Sequence, residues 1–141
     1  MADEPLVFID TNIIVYAHDR DAGHKRALAK QRLATLLTER RAVVSLQVLQ
    51  ELYVTLTRKL PKALAKDDAR ELVDGYADLR LVIPDVELLK EAMRLEARWQ
   101  LSFWDAMIVA AADRAGCATV LSEDLGHGRK IAGVVIENPF V

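Results

Sequence analysis

Five short apolar runs punctuate the chain: Leu6–Ile9, Ala42–Val44, Leu81–Ile83, Thr119–Leu121 and Val134–Ile136. Each has the length of a strand, and none alternates apolar with polar residues, as expected for strands covered on both faces. Helical segments separate them, so the pattern predicts an α/β fold with a parallel sheet between layers of helices. Ile13–Ala17 predicts a short helix. His24–Leu37 predicts a longer one, with Ala27, Leu28, Leu33, Leu36 and Leu37 as an incomplete apolar face. Ser45 is a good N-cap for a helix from Leu46 to about Lys59, whose buried stripe would be Leu46, Leu49, Tyr53, Leu56 and Leu60. Asp67 or Asp68 should start the next helix, Asp68 with Glu71 fitting a capping box, and it should reach about Leu79. Asp85 should cap a helix running to Arg98 or Trp99. The segment from Ser102 to Ala112 is apolar almost all round, which predicts a helix buried by its neighbours.

No internal repeat, low-complexity segment or dividing linker interrupts this alternation, so residues 1–141 are expected to form a single domain. A hydrophobic content of 52% and a charged content of 28% suit a globular chain and exclude a disordered one. The longest unbroken apolar run, Ala106–Ala112, is far too short to span a bilayer. Met1-Ala2-Asp3-Glu4-Pro5 lacks the charge pattern of a signal peptide, and a cytoplasmic location is expected. A single cysteine, Cys117, excludes an intrachain disulfide and any cysteine-based zinc cluster. The formal charge of −2 argues against nucleic-acid binding by counterion release alone, although a divalent ion held by acids would reverse the local sign.

The candidate chemistry lies where the apolar runs end. Val7-Phe8-Ile9 stops at Asp10, followed by Thr11 and Asn12; Thr119-Val120-Leu121 stops at Ser122, Glu123 and Asp124, before a glycine-rich turn. In an open α/β sheet, ligands bind at the carboxyl ends of the strands. Asp10 could equally be a helix cap, unless Thr11 and Asn12 do the capping and free its carboxylate to face a cleft. At about 100° per residue, Glu51 falls roughly 170° from its helix's apolar stripe. It is therefore either a surface residue or part of a cleft face beside Gln47 and Thr55. Asp105 shares the spacing of a capping box with Ser102, so cap and catalytic acid remain equal alternatives there. His18, His24 and His127 show no HExxH-like spacing; His127 could assist at the cleft mouth or be merely solvated.

If the strands are parallel, Asp10, Glu51, Asp105 and Asp124 converge on one edge of the sheet. Carboxylates gathered there would raise one another's pKa values, and a magnesium or manganese ion would relieve the repulsion. Such a site suits phosphodiester hydrolysis. A dehalogenase-type phosphotransferase would need a second Asp at the position of Asn12. A receiver domain would need a lysine after a late strand, and Val134–Val141 has none.

Three segments, Phe8-Ile9-Asp10-Thr11-Asn12, Ser102-Phe103-Trp104-Asp105-Ala106 and Leu121-Ser122-Glu123-Asp124-Leu125, occur in this order, with Gln50-Glu51-Leu52 after Ser45. Together they resemble the PIN-domain family, most closely the VapC-type toxins of prokaryotic toxin–antitoxin pairs, over nearly the whole chain. The resemblance implies a three-layer fold around a central five-stranded parallel sheet in the order 3-2-1-4-5. It also implies Mg²⁺- or Mn²⁺-dependent endoribonuclease activity with one or two ions. Asp10, Glu51, Asp105 and Asp124 would be the metal-site acids, Asp10 and Asp105 anchoring the ion. Thr11, Asn12, Ser45 and Ser122 would support them. Glu123 competes with Asp124 for the inward position, and the family pattern favours Asp124. An antitoxin partner and a homodimer are implied as well. Lys25, Arg26, Arg58, Lys59 and Lys62 are candidates for guiding RNA phosphates. The rival readings are a non-catalytic PIN-like module that binds RNA or protein, and a free-standing RNA-processing nuclease.

Overall fold

The strand that carries Asp10 lies inside the sheet, and its burial explains why it reads as a continuous apolar run. In the computed structural model, which describes residues 4–141, β1 (Val7–Ile9) is buried at every position. Met1–Asp3, on which part of the N-terminal reading rests, lie outside the described residues. Parallel pairing joins β1 to β2 (Ala42–Ser45) on one side and β4 (Thr119–Leu121) on the other, with Val7 opposite both Ala42 and Thr119. β3 (Arg80–Val82) extends the sheet beyond β2, and β6 (Val134–Glu137) extends it beyond β4, both in parallel.

The order 3-2-1-4 is the expected one, and the fifth predicted strand takes the expected place beside β4. The sheet nevertheless has six strands among the described residues, in the order β3-β2-β1-β4-β6-β5. β5 (Lys130–Ile131) pairs antiparallel with β6, so the outermost pair breaks the all-parallel expectation. The cause is local. No helix crosses between β4 and β6; the chain passes through a loop and then a two-residue hairpin turn. Ala132 and Gly133 both take positive φ there, 52° and 85°, as the primed hairpin turns require. Two residues are too short a strand to show any periodicity.

The helices are α1 (Thr11–His18), α2 (His24–Thr38), α3 (Leu46–Val54), α4 (Lys66–Ala77), α5 (Val86–Trp99) and α6 (Phe103–Arg114). α1 packs on α2 and α3, α3 on α4, and α5 on α6. As expected, α6 is buried from Ala106 through Ala112, where four alanines allow the helix to approach β2, β4 and β6 closely. Ser45 caps α3 by accepting a hydrogen bond from the Val48 N–H, and Asp85 caps α5 through Leu88. α3 runs on to Lys59 through one π-helical turn, Thr55–Lys59, a widening often found at functional sites.

Three local expectations need correction. Leu46, at the first position of α3, is 37% exposed, and Val48 and Leu52 fill the core in its place. On α2 the buried residues are Ala29, Leu33 and Leu36, while Leu37 points outward and Ala27 is exposed. α4 begins at Lys66, with no side-chain cap and no Asp68–Glu71 box. Its start is set upstream, where the Leu64 N–H binds the Leu56 carbonyl (2.8 Å) and Leu64 packs on the core. Asp67 and Asp68 fall in the first turn, where they favour the helix dipole without capping it.

Phe8 has no exposed surface and belongs to the central strand. Phe8→Ala should therefore lower stability in urea by about 3–5 kcal/mol, whereas Val135→Ala, at a 40% exposed position on β6, should cost less than about 1 kcal/mol. Equal losses at the two positions would contradict this placement of the core.

Candidate active site

At the end of β1 the chain turns directly into α1, and Asp10 sits at the junction with only 8% of its surface exposed. Its N–H completes the pairing with β4 by donating to the Leu121 carbonyl (3.0 Å). Its carboxylate divides its two oxygens between two tasks. Oδ1 accepts from the Thr11 N–H (2.8 Å), and Oδ2 accepts from the Ser122 hydroxyl (2.7 Å). Asp10 is thus the N-cap of α1, contrary to the expectation that Thr11 and Asn12 would take over the capping. Those two residues reach across to neighbouring segments. The Thr11 hydroxyl donates to Glu51 (3.2 Å), and the Asn12 amide donates to Asp124 (3.0 Å) and to Ser122 (3.4 Å). Capping and facing the cleft are compatible because a carboxylate has two oxygens.

The other acids arrive from separate elements. Glu51 lies on the face of α3 away from the core, and that face borders a cleft with Gln47 and Thr55, the second of the two alternatives for this residue. At the start of α6 the Ser102 hydroxyl accepts from the Asp105 N–H (3.1 Å). Among the described residues the Asp105 carboxylate accepts no hydrogen bond in return, so only half of the capping box forms. Asp124 follows β4, its N–H bound to the Ser122 hydroxyl (3.1 Å) and its carboxylate to Asn12. All four acids line one cleft of about 550 Å³. Its next-door acid, Glu123, turns away to a salt bridge with Lys25 and a hydrogen bond from Tyr16 (2.6 Å). The inward position therefore belongs to Asp124.

Burial dominates the electrostatics of Asp10. It pushes the carboxyl from 3.8 up to about 6 against the hydrogen bonds from Ser122 and Thr11, and the charges of Glu51 and Asp105 push the same way. Glu51 is raised too, first by burial and further by Asp105, with Thr11, Gln47 and Lys59 opposing. Glu123 behaves differently. Burial acts to raise it, but the hydrogen bonds from Lys25 and Tyr16 outweigh that effect and hold it low. Among the described residues no three metal-type side chains are grouped tightly enough to form a closed ion cage. The acids share a cleft without meeting at one point.

The remaining predicted residues are scattered. Ser45 is buried as the α3 cap and does not line the cleft. Of the five cations, only Lys59 borders the cleft. Lys25 is engaged with Glu123 and lies over the Tyr16 ring (4.9 Å). Arg26 and Lys62 line a different cavity of about 600 Å³ beside His18, while Arg58 is exposed on the π-helical turn. His127 does not border the cleft; its Nδ1 accepts from the Asn138 N–H (3.0 Å) and ties the glycine-rich loop to the last residues. The sequence reading missed Tyr16 and Trp104 in the cleft wall. Helical spacing could have found Tyr16, four residues after Asn12 and so on the same face.

Residues 7–132 match the family model described as PIN domain. No curated protein matches the chain by sequence. Among solved structures, a toxin–antitoxin complex from Klebsiella pneumoniae superimposes with a TM-score of 0.72 at 18% identity, covering 94% of this chain and 97% of that one. A DNA-bound VapBC from Salmonella typhimurium gives 0.68 at 20% identity, covering 96% and 99%. The sarcin–ricin loop cleaving toxin VapC20 from Mycobacterium tuberculosis gives 0.65 at 18%, covering 84% and 89%. At these identities the likeness to solved structures is one of fold.

The raised Asp10 pKa has a consequence for stability without metal. An acid whose folded pKa lies above its unfolded value binds its proton more tightly when folded, so stability falls as pH rises between the two values. From 3.8 to about 6 the penalty reaches about 3 kcal/mol at neutral pH. Asparagine retains both an N-cap acceptor and a partner for Ser122. In chelator-treated protein, Asp10→Asn should raise the urea-derived stability at pH 7.5 by up to that amount, with little gain near pH 4. A gain that does not shrink on acidification would show that burial of the charge is not its source.

Proposed function

Because the chain belongs to the PIN-domain family, we propose that it is a metal-dependent endoribonuclease of the VapC toxin type. The observation that carries the reading is the convergence of Asp10, Glu51, Asp105 and Asp124 on one cleft, with Asp10 pushed up to about 6. A cluster of this kind is under electrostatic stress, and a divalent cation would relieve it. The donors are all hard carboxylate oxygens, which fit Mg²⁺ or Mn²⁺. Magnesium characteristically keeps several waters and uses only one or two carboxylates, so an open arrangement of acids suits it better than a closed cage would. Such an ion, when bound, supplies Lewis acidity toward a phosphoryl oxygen and a lower pKa for a bound water.

In this reading Asp10 and Asp105 are the residues that hold the ion. Asp10 is fixed from both sides by Thr11 and Ser122, and Asp105 stands on a helix anchored by the Ser102 cap. Glu51 and Asp124 orient the attacking water and accept its proton. The raised pKa of Glu51 suits it to accept a proton, and Thr11 holds its carboxylate in place. Asn12 links the Asp124 and Ser122 side chains, so the ends of β1 and β4 act as one support. Lys59 is the cation placed to meet a substrate phosphate at the cleft. The VapBC and toxin–antitoxin neighbours support an antitoxin partner that blocks the site. A homodimer and a cytoplasmic setting belong to the same proposal.

Asp10→Asn and Asp105→Asn should each lower RNA cleavage by about 100-fold or more. Sequencing the 5′ ends of cellular RNA after induction gives the readout, and new ends as abundant in Asp10→Asn as in the wild type would refute the assignment. Calorimetric titration with Mn²⁺ tests the ion separately. Binding should weaken at least about tenfold in Asp105→Asn, and unchanged affinity would remove Asp105 from the ligand set.

A further inference from the structure

One large side chain in the cleft wall plays no part in that chemistry. Trp104 is 63% exposed, although tryptophan is normally well buried in a folded chain. It lines the cleft next to Asp105, in the first turn of α6. Its surroundings fix it in place. The Trp104 carbonyl accepts a hydrogen bond from the buried Gln47 amide (3.2 Å), and the Phe103 ring packs edge-to-face against the indole at 4.9 Å and 76°. Ser102 caps the helix two residues before it, and Ala106–Ala112 are buried behind it. An aromatic surface on an anchored stretch of backbone is therefore open to solvent at the rim of the acids.

The charges show why the cleft needs such a surface. Five acids line it, Asp10, Asp19, Glu51, Asp105 and Asp124; among the described residues Lys59 is the cation that lines it, and Lys25 is paired with Glu123. The chain as a whole carries −2. Phosphate contacts, which usually dominate nucleic-acid affinity, are scarce here. Base–aromatic stacking needs no cation, tolerates any base sequence and requires the base to be unpaired.

Resting on the nuclease reading above, we infer that Trp104 is a stacking platform for an unpaired base of the RNA beside the scissile phosphate. In that role Trp104 supplies affinity that the acids cannot.

Fluorescence provides a direct test, because the chain has two tryptophans and Trp99→Phe leaves Trp104 as the sole reporter. In EDTA, adding a single-stranded 12-mer of adenosine should quench Trp104 emission, and an abasic 12-mer with the same sugar–phosphate backbone should not. Trp104→Ala should weaken binding of the adenosine 12-mer by roughly 5- to 150-fold, the range that one stacked base supplies. Trp104→Phe should recover part of that loss, with thermal melting unchanged in both variants. With Mn²⁺ present, the loss should appear in KM more than in kcat. If the wild type cleaves RNA and Trp104→Ala binds and cleaves equally well, the stacking role falls while the nuclease reading stands. Equal quenching by the abasic 12-mer would also overturn it and leave the ring to a protein partner. A wild type that neither binds nor cleaves any RNA would sink both.

Discussion

The hydrogen bond from Ser122 to Asp10 joins two residues 112 positions apart and bridges the ends of adjacent strands. It exists only because β4 is laid beside β1, which brings the late part of the chain back to the first strand. The pairing continues past Ile9 through the bond from the Asp10 N–H to Leu121, so the two strand ends are held in register up to the residues that matter. Asn12 then ties the Ser122 and Asp124 side chains to α1, and Thr11 ties α1 to Glu51. Without the β1–β4 register, Asp10 and Asp124 would not meet in one cleft. The cleft is a consequence of sheet order before it is a matter of chemistry.

Much of this was legible because burial on both faces leaves a plain mark on a parallel strand. The runs at β1, β2 and β4 match their strands within a residue or two, and the sheet order from β3 through β4 is as expected. β5 escaped because two residues carry no periodicity, and its hairpin depends on Ala132 adopting a positive φ that alanine seldom takes. The start of α4 escaped for another reason. Asp68 and Glu71 have the spacing of a capping box, but Leu64 docks on the core and fixes where the chain enters the helix. Tertiary packing overrode a local signal.

The site was legible in a different sense. For Asp10 the sequence poses cap and active-site acid as competing roles, and the structure makes it the cap while leaving the carboxylate in the cleft. The angular position of Glu51 was right but its meaning was open, since a helix face turned from the core can meet either water or a cleft. Only the packing of α3 against α1 decides that, through contacts no single segment contains. The predicted cations scattered because surface lysines and arginines are constrained by no burial, so their sequence positions carry little spatial information.

The contrast between Glu123 and Asp124 shows how the fold separates structural acids from reactive ones. They are neighbours after the same strand, yet Lys25 and Tyr16 satisfy one while Asn12 points the other at the cleft. Neutralising an acid with a cation lowers its pKa and fixes its charge, which suits a brace between α2 and the β4 loop. Among the described residues Asp10 has no cationic partner, and burial raises it to about 6. A salt bridge there would make the fold easier to stabilise and would occupy the carboxylate. Neutral donors hold Asp10 in position without cancelling its charge, and so the strain of burying it persists until something positive enters the cleft.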